Sequence, residues 1–187
     1  MRLSLLICHL GSRKLELERL RAIIDPTLTD EVEVLVETDR GILTTGEKRN
    51  RLLARAMGDY VAFIDDDDTV SPEYVPATLA ALARTPEATH CELWGLYTPP
   101  RASEGIPFHL SMRYATWRNT PELLERPVDH LNAVRRDIAL HARFPALDVG
   151  EDVVYATGIA PLLRIEAPLP GLLYGYDHSE RRDYQWP

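Results

Sequence analysis

Tyr60-Val61-Ala62-Phe63-Ile64-Asp65-Asp66-Asp67-Asp68 is the stretch that decides the fold. Its first five residues are apolar, aromatic or β-branched, the composition of a buried strand. Four acids follow directly, and like charges crowded at the end of a buried strand repel one another. A divalent cation among the carboxylate oxygens makes such an arrangement favourable. A solvated acidic turn leading into the next helix is the simpler use of an acidic run. Position favours the cation, because in open α/β sheets ligands bind at the carboxyl ends of the strands.

Upstream, Leu3 to Cys8 reads as a first buried strand, closed by the turn His9-Leu10-Gly11-Ser12. Leu15, Leu20, Ile23 and Ile24 place a helix over Arg13 to Ile24, stopped by Pro26. Val32 to Val36 is a second strand leading to Glu37-Thr38-Asp39, and a second helix runs from about Gly46 to Met57. Gly58-Asp59 then turns the chain into the strand that delivers the acids. Downstream, Ser71-Pro72 carries the signals of an N-cap and first helical position, for a helix reaching about Arg84. Cys91 to Tyr97 is the fourth strand. The expected architecture is therefore α/β, with a mainly parallel central sheet flanked by helices.

After Thr98 the pattern loosens. Residues 98 to 127 carry five of the 14 prolines and read as a long excursion over the active edge. Val128 to Val134 suits a strand, Arg136 to Ala142 a short helix, and Gly150-Glu151-Asp152 the start of a helix to about Gly158. Leu162 to Ile165 and Leu172 to Tyr176 read as late strands before a polar tail.

Composition narrows the function classes. A chain of 187 residues suits one domain, 1–187, with a nucleotide-binding half (1–97) and an acceptor-side half with its tail (98–187). A net charge of -8 argues against general nucleic-acid or membrane-surface binding. The two cysteines, Cys8 and Cys91, have no metal-ligand spacing and suggest a reducing, cytoplasmic setting rather than a disulfide framework. The amino-terminal apolar run is too short for a signal peptide, and no stretch approaches the roughly 18 to 20 apolar residues of a membrane span.

The chemistry collects where the strands end. Loop one offers His9 and Arg13, loop two Asp39, and loop three the four acids, and parallel strands deliver all three loops to one edge. Thr45-Gly46-Glu47-Lys48-Arg49-Asn50 begins a helix whose backbone N–H groups, with Lys48 and Arg49 beside them, suit a diphosphate. The same two bases also suit a plain solvated helix face. Acids for a metal and bases for phosphate together describe a nucleoside-diphosphate site.

These segments resemble the family 2 glycosyltransferases of the GT-A (nucleotide-diphospho-sugar transferase) fold. The resemblance rests on Leu3 to Cys8, Val34-Leu35-Val36-Glu37-Thr38-Asp39 and Gly46-Glu47-Lys48-Arg49-Asn50. It continues through Ala56 to Asp68, Pro72 and Gly150-Glu151-Asp152, and so spans nearly the whole chain. It implies an inverting enzyme that moves a sugar from a nucleoside-diphosphate donor, with uridine diphosphate the commonest carrier, to an acceptor hydroxyl. Asp39 would then meet the nucleobase and Asp65 the ribose, with His9, Arg13, Lys48, Arg49 and Asp66 completing the donor site. Asp67 would hold Mn2+ or Mg2+, with His178 a further candidate ligand. Asp65-x-Asp67 fits the family register better than Asp66-x-Asp68. Asp152 stands where the general base is kept, with Glu151 as its neighbour.

On the acceptor side, His130 and Trp117 are candidates, and Arg181 and Arg182 in the tail are placed to close over the diphosphate. Trp94 and Tyr97 offer further aromatic faces, core packing being the expected role of Trp94. The chain lacks the Q-x-x-R-W element of processive synthases, which favours single transfers. Acceptors open to such an enzyme are a glycan, a small molecule or a modified DNA base; for the last, Arg113, Arg118, Arg126, Arg135, Arg136 and Arg143 concentrate on that half. Two alternatives use the same acids: a sugar nucleotidyltransferase, for which Leu10-Gly11-Ser12-Arg13-Lys14 is a poor phosphate loop, and a non-catalytic nucleotide- or metal-binding module.

Overall fold

In the computed structural model, which describes residues 2–102 and 104–177, the chain begins with β1 (Leu3–Leu10), α1 (Lys14–Ile24), β2 (Val32–Asp39) and α2 (Thr45–Arg55). There follow β3 (Tyr60–Phe63), β4 (Thr69–Val70), α3 (Tyr74–Arg84), β5 (His90–Cys91), β6 (Leu93–Thr98) and β7 (Ile106–Leu110). The remainder comprises β8 (Arg118–Asn119), β9 (Leu124–Arg126), β10 (Val134–Arg135), α4 (Arg136–Ala139), α5 (Glu151–Ile159), β11 (Glu166–Ala167) and β12 (Tyr174–Asp177).

Two sheets result. The first runs β11-β5-β10-β3-β1-β2, and among the described residues only β10 opposes the direction of the rest. β1 pairs in parallel with β2 and with β3, so their loops open on one edge, as the sequence implies. The period-2 alternation of these strands builds both faces of the core. Leu3, Leu5, Ile7, Tyr60, Ala62 and Ile64 pack with α1 and α3 residues such as Leu20, Ile24, Tyr74 and Leu82. Leu6, Cys8, Val61 and Phe63 pack on the other face with Leu52 and Leu53 of α2 and Tyr155 and Ile159 of α5. Helices on both faces of a mainly parallel sheet match the expected fold class.

The second sheet, β4-β12-β6-β7-β9-β8, is where the structure departs from the sequence reading. The single strand expected over Cys91 to Tyr97 divides at Glu92, with β5 in the first sheet and β6 in the second. Glu92 sits at the division because its carboxylate is needed there, accepting from the Leu169 N–H at 3.1 Å and pairing with His109 Nε2 at 3.0 Å. The excursion expected over 98 to 127 contains β7, β8 and β9, which are strands of the second sheet and line the cleft beside the acids.

Smaller corrections have local causes. α3 begins at Tyr74, after a turn in which Ser71 accepts from Tyr74 N–H, so Pro76 falls in its first turn, where a missing N–H costs little. The strand expected over Val128 to Val134 is reduced to Val134 and Arg135, because side chains bend the residues before it into turns. Asn132 Oδ1 accepts from the Asp129 N–H at 3.0 Å, and Asp129 Oδ1 from the Leu131 N–H at 2.8 Å. Leu162 to Ile165 is likewise no strand; a 3-10 turn over Ala160–Leu162 precedes β11.

Candidate functional site

A cleft of about 750 Å³ opens at the carboxyl edge of β1 and β3, a size suited to a nucleotide-sized ligand. Arg13, Lys48, Arg49, the four acids, Trp117, His130, Glu151 and Asp152 all line it. Residues far apart in sequence therefore meet as expected, but several do different work from that expected of them.

Asp66 points inward. Its Oδ2 accepts from the Leu10 N–H at 2.9 Å and hydrogen-bonds His9 Nδ1 at 2.8 Å, while Oδ1 accepts from Arg13 Nη1 at 2.9 Å. At 2% exposure it fixes loop one rather than offering itself to a donor. Asp68 is buried too and accepts from the Tyr174 hydroxyl at 2.7 Å. Burial, with Asp65 close by, pushes its carboxyl well up.

Asp65 and Asp67 keep their faces to the cleft, each side chain 30% exposed. Asp67 Oδ2 lies 3.0 Å from Arg13 Nη1. Burial raises the Asp67 carboxyl; Arg13 works the other way, while Asp65 and Asp66 add to the rise. That residual repulsion is what a cation relieves. Among the described residues no three His, Cys, Asp or Glu side chains converge as a ready-made metal cage, and His178, Arg181 and Arg182 lie outside the described residues. A cation held by one or two carboxylates and completed by diphosphate oxygens needs no such cage, so Asp67 fits Mn2+ or Mg2+.

Asp39 is locked into its loop. Its Oδ2 accepts from the Ile42 and Leu43 N–H groups at 2.7 and 2.8 Å, and its Oδ1 from Lys48 Nζ at 3.0 Å. The Leu43 amide above all, then Lys48 and the Ile42 amide, hold the carboxyl down at about 2 despite its partial burial.

The start of α2 is the clearest correction. Thr44 caps it, accepting from the Glu47 N–H, while the Glu47 side chain accepts from the Thr44 N–H. The Thr45 N–H donates to Asp148 Oδ1 at 2.9 Å and the Gly46 N–H to the Leu147 carbonyl at 3.0 Å. The amides expected to cradle a diphosphate are thus occupied by the protein. Gly46 also sits so close to the loop before α5 that a Cβ there would meet the Pro145 carbonyl oxygen at 1.8 Å.

Arg49 is neither a solvated base nor an open phosphate contact. It is 3% exposed, and its guanidinium donates to Glu151 Oε1 at 2.7 Å and Asp65 Oδ1 at 2.9 Å. The same group lies over the rings of Phe63 and Phe144 at 5.7 and 5.4 Å. Burial lowers its affinity for a proton, but Asp65, Cys8 and Glu151 outweigh burial, and the guanidinium stays charged. Glu151 is accordingly a buried partner of Arg49, whereas its neighbour Asp152 is open to the cleft. Gly150 adopts φ of 83° to start α5, a left-handed conformation that favours glycine. Arg13 remains the cation placed against the exposed acid.

His130 was expected on the acceptor side. It lies instead against the acids, Nε2 3.7 Å from Asp65 Oδ2 and Nδ1 3.9 Å from Asp129 Oδ1. Asp129 lines the cleft and was not singled out from the sequence. Its only signal there is an acid adjacent to a flagged histidine in a segment that read as strand. Trp117 stands at the rim, 63% exposed, with the Arg126 guanidinium 4.4 Å from its ring centroid. Trp94 instead stacks on His109 at 3.9 Å, in keeping with a packing role. Of the arginines on this half, Arg118 pairs with Glu125 and Arg135 with Asp137.

The family model described as Glycosyl transferase family 2 matches residues 18–141, more than half of the chain. The chain belongs to glycosyl transferase family 2. This family 2 chain resembles TarS 1-349 of S. aureus, solved in complex with UDP-GlcNAc, at 14% identity over 100% of this chain and 62% of that one, with a TM-score of 0.64. A197 from STIV matches at 18% identity over 90% of this chain and 82% of that one, TM-score 0.52. Glucosyl-3-phosphoglycerate synthase from Mycobacterium tuberculosis, in complex with Mn2+ and UDP-Glc, matches at 18% over 93% and 71%, TM-score 0.51. In another structure of S. aureus TarS 1-349 the family 2 chain spans 60% of that chain's length. These likenesses establish the GT-A fold. No curated protein matches the chain.

Proposed function

We propose that this chain is an inverting, metal-dependent glycosyltransferase that moves one sugar from a nucleoside-diphosphate donor, a UDP-sugar, to an acceptor hydroxyl. The observation that carries the reading is the pairing of Arg13 with the half-buried Asp67 in a cleft that Asp152 also lines, within a family 2 chain. Asp39 and Lys48 mark the nucleobase end, Asp65 lies toward the ribose, and Arg13 receives the diphosphate once it is drawn from Asp67. Asp67 would hold Mn2+ or Mg2+, which when bound neutralises charge developing on the departing diphosphate.

Asp152 accepts the proton of the acceptor hydroxyl as its oxygen forms a bond to the anomeric carbon. The bond from that carbon to the diphosphate oxygen breaks, its electron pair leaves with the diphosphate, and the configuration inverts. No covalent intermediate is needed. Cys8, the thiol lining the cleft, is pushed up by burial to about 12 and is a poor nucleophile. Trp117 offers an apolar face at the rim for the acceptor. Among the described residues no helix is long and apolar enough to cross a membrane.

The test is turnover of UDP-sugars with Mn2+, read as UDP release with and without chelator. UDP release that stops on chelation and in Asp152→Asn, while that variant still binds UDP, is the expected result. Pyrophosphate release from UTP and a sugar 1-phosphate would instead make the chain a nucleotidyltransferase. UDP binding without turnover of any donor would make it a binding module.

A further inference from the structure

The segment Asp129 to Asn132 is held down by its hydrogen bonds. The His130 carbonyl accepts from the Phe63 N–H at 3.1 Å, and Asn132 Nδ2 donates to the Cys91 and Leu110 carbonyls at 2.9 and 3.3 Å. With the Asn132–Asp129 and Asp129–Leu131 bonds described above, the polar groups of this turn are well supplied. The His130 ring is the exception. It is 6% exposed, and neither ring nitrogen has a hydrogen-bond partner. Orphaned polar atoms in a folded interior are uncommon and destabilising, and each calls for an explanation such as strain, a catalytic role, a water or an ion.

The surroundings say what is to be completed. The two nitrogens face two carboxylates, Asp65 and Asp129, each a few tenths of an ångström beyond hydrogen-bond range. Both carboxylates reach the cleft, with the Asp129 side chain 23% exposed. Carboxylates only accept, so the ligand groups they suit are donors, and hydroxyls are the neutral donors of a sugar. Although His130 lines the cleft, both its ring nitrogens are buried, so it acts through the acids in front of it.

We propose that Asp129 accepts hydrogen bonds from hydroxyls of the transferred sugar, and that His130 is its positioning residue, bridging Asp129 to Asp65 as the donor closes on them. The inference rests on the donor reading above and adds to it the part that recognises the sugar. Burial raises the Asp129 carboxyl and His130 pulls it back, as a supporting imidazole should. As the donor draws the two carboxylates in, the ring donates an N–H to one of them, and to both when it carries a proton on each nitrogen.

Calorimetric titration of the full chain with UDP, UDP-glucose and UDP-N-acetylglucosamine, all with Mn2+, tests this. Asp129→Asn and His130→Ala are expected to raise the dissociation constant of whichever sugar donor the wild type binds better by about ten-fold. Both should leave that for UDP within about two-fold, and retained UDP binding also shows that the variant is folded. His130→Gln, which keeps an N–H, should recover part of the loss. Equal weakening of UDP and UDP-sugar, or no weakening of either, overturns the assignment. So does a wild type that binds UDP but neither sugar donor. If the wild type does not bind UDP at all, the donor reading itself fails and this inference falls with it.

Discussion

Replacing Arg49 by methionine removes the charge but keeps an apolar stem against Phe63 and Phe144. It also strands two carboxylates, Glu151, which is buried, and Asp65, which is partly exposed. Breaking a buried ion pair by removing one partner costs about 3–5 kcal/mol. Here Asp65 retains some solvent and Glu151 almost none, so most of the loss belongs to Glu151. For a chain of this length that corresponds to a fall in melting temperature of about 6–20 °C. The assay is urea unfolding of a double-mutant cycle. Glu151→Gln in the Arg49→Met background should restore about 1–3 kcal/mol, because the stranded charge is gone. The cause would be the tie Arg49 makes between α2, the end of β3 and the start of α5. A loss below about 1 kcal/mol, or strict additivity of the two substitutions, would refute the reasoning.

Asp67→Asn should abolish the Mn2+-dependent part of UDP affinity while leaving the metal-free part; titration with and without chelator reads this, and unchanged metal dependence removes Asp67 from the ligand role. The Asp39 carboxyl sits at about 2 in the folded protein, below the roughly 3.9 of an unfolded aspartate, so its contribution to stability is present above about pH 4 and lost as the pH falls toward 2. The stability gap between wild type and Asp39→Asn should therefore narrow between about pH 4 and pH 2, and urea midpoints that keep a constant gap would contradict the assignment. Gly46→Ala gains up to about 1 kcal/mol of helix propensity, but the overlap with the Pro145 carbonyl costs about 1–3 kcal/mol, and the clash should win. A melting temperature at or above that of the wild type would show that the loop yields.

What the sequence made legible was local and periodic. The apolar strand before Asp65, the alternation of Leu3 to Cys8 and the loops that end both strands place the cleft correctly, because parallel strands leave little choice of edge. Direction within an acidic run is different. Composition alone leaves the four acids alike, and only the resemblance preferred Asp65-x-Asp67, the pair that is partly exposed; Asp66 and Asp68 turn inward to His9 and Tyr174, 57 and 106 residues away. Arg49 and Lys48 read as diphosphate contacts or as a solvated helix face for the same reason, since each is neutralised by a carboxylate from another segment. The second sheet escaped because most of its strands are short and because the chain crosses into it from the first sheet at Glu92, inside a run that reads as one strand. Asp129 escaped because its side chain shapes a turn in a segment whose composition favours strand.

A structure of the chain with UDP and Mn2+ bound is the measurement that bears most directly on the central claim. The account predicts uracil beside Asp39, the diphosphate between Arg13 and Asp67, a manganese ion on Asp67, and Asp152 open across the cleft. A nucleotide seated away from this acidic edge, or a manganese ion that avoids Asp67, would contradict it.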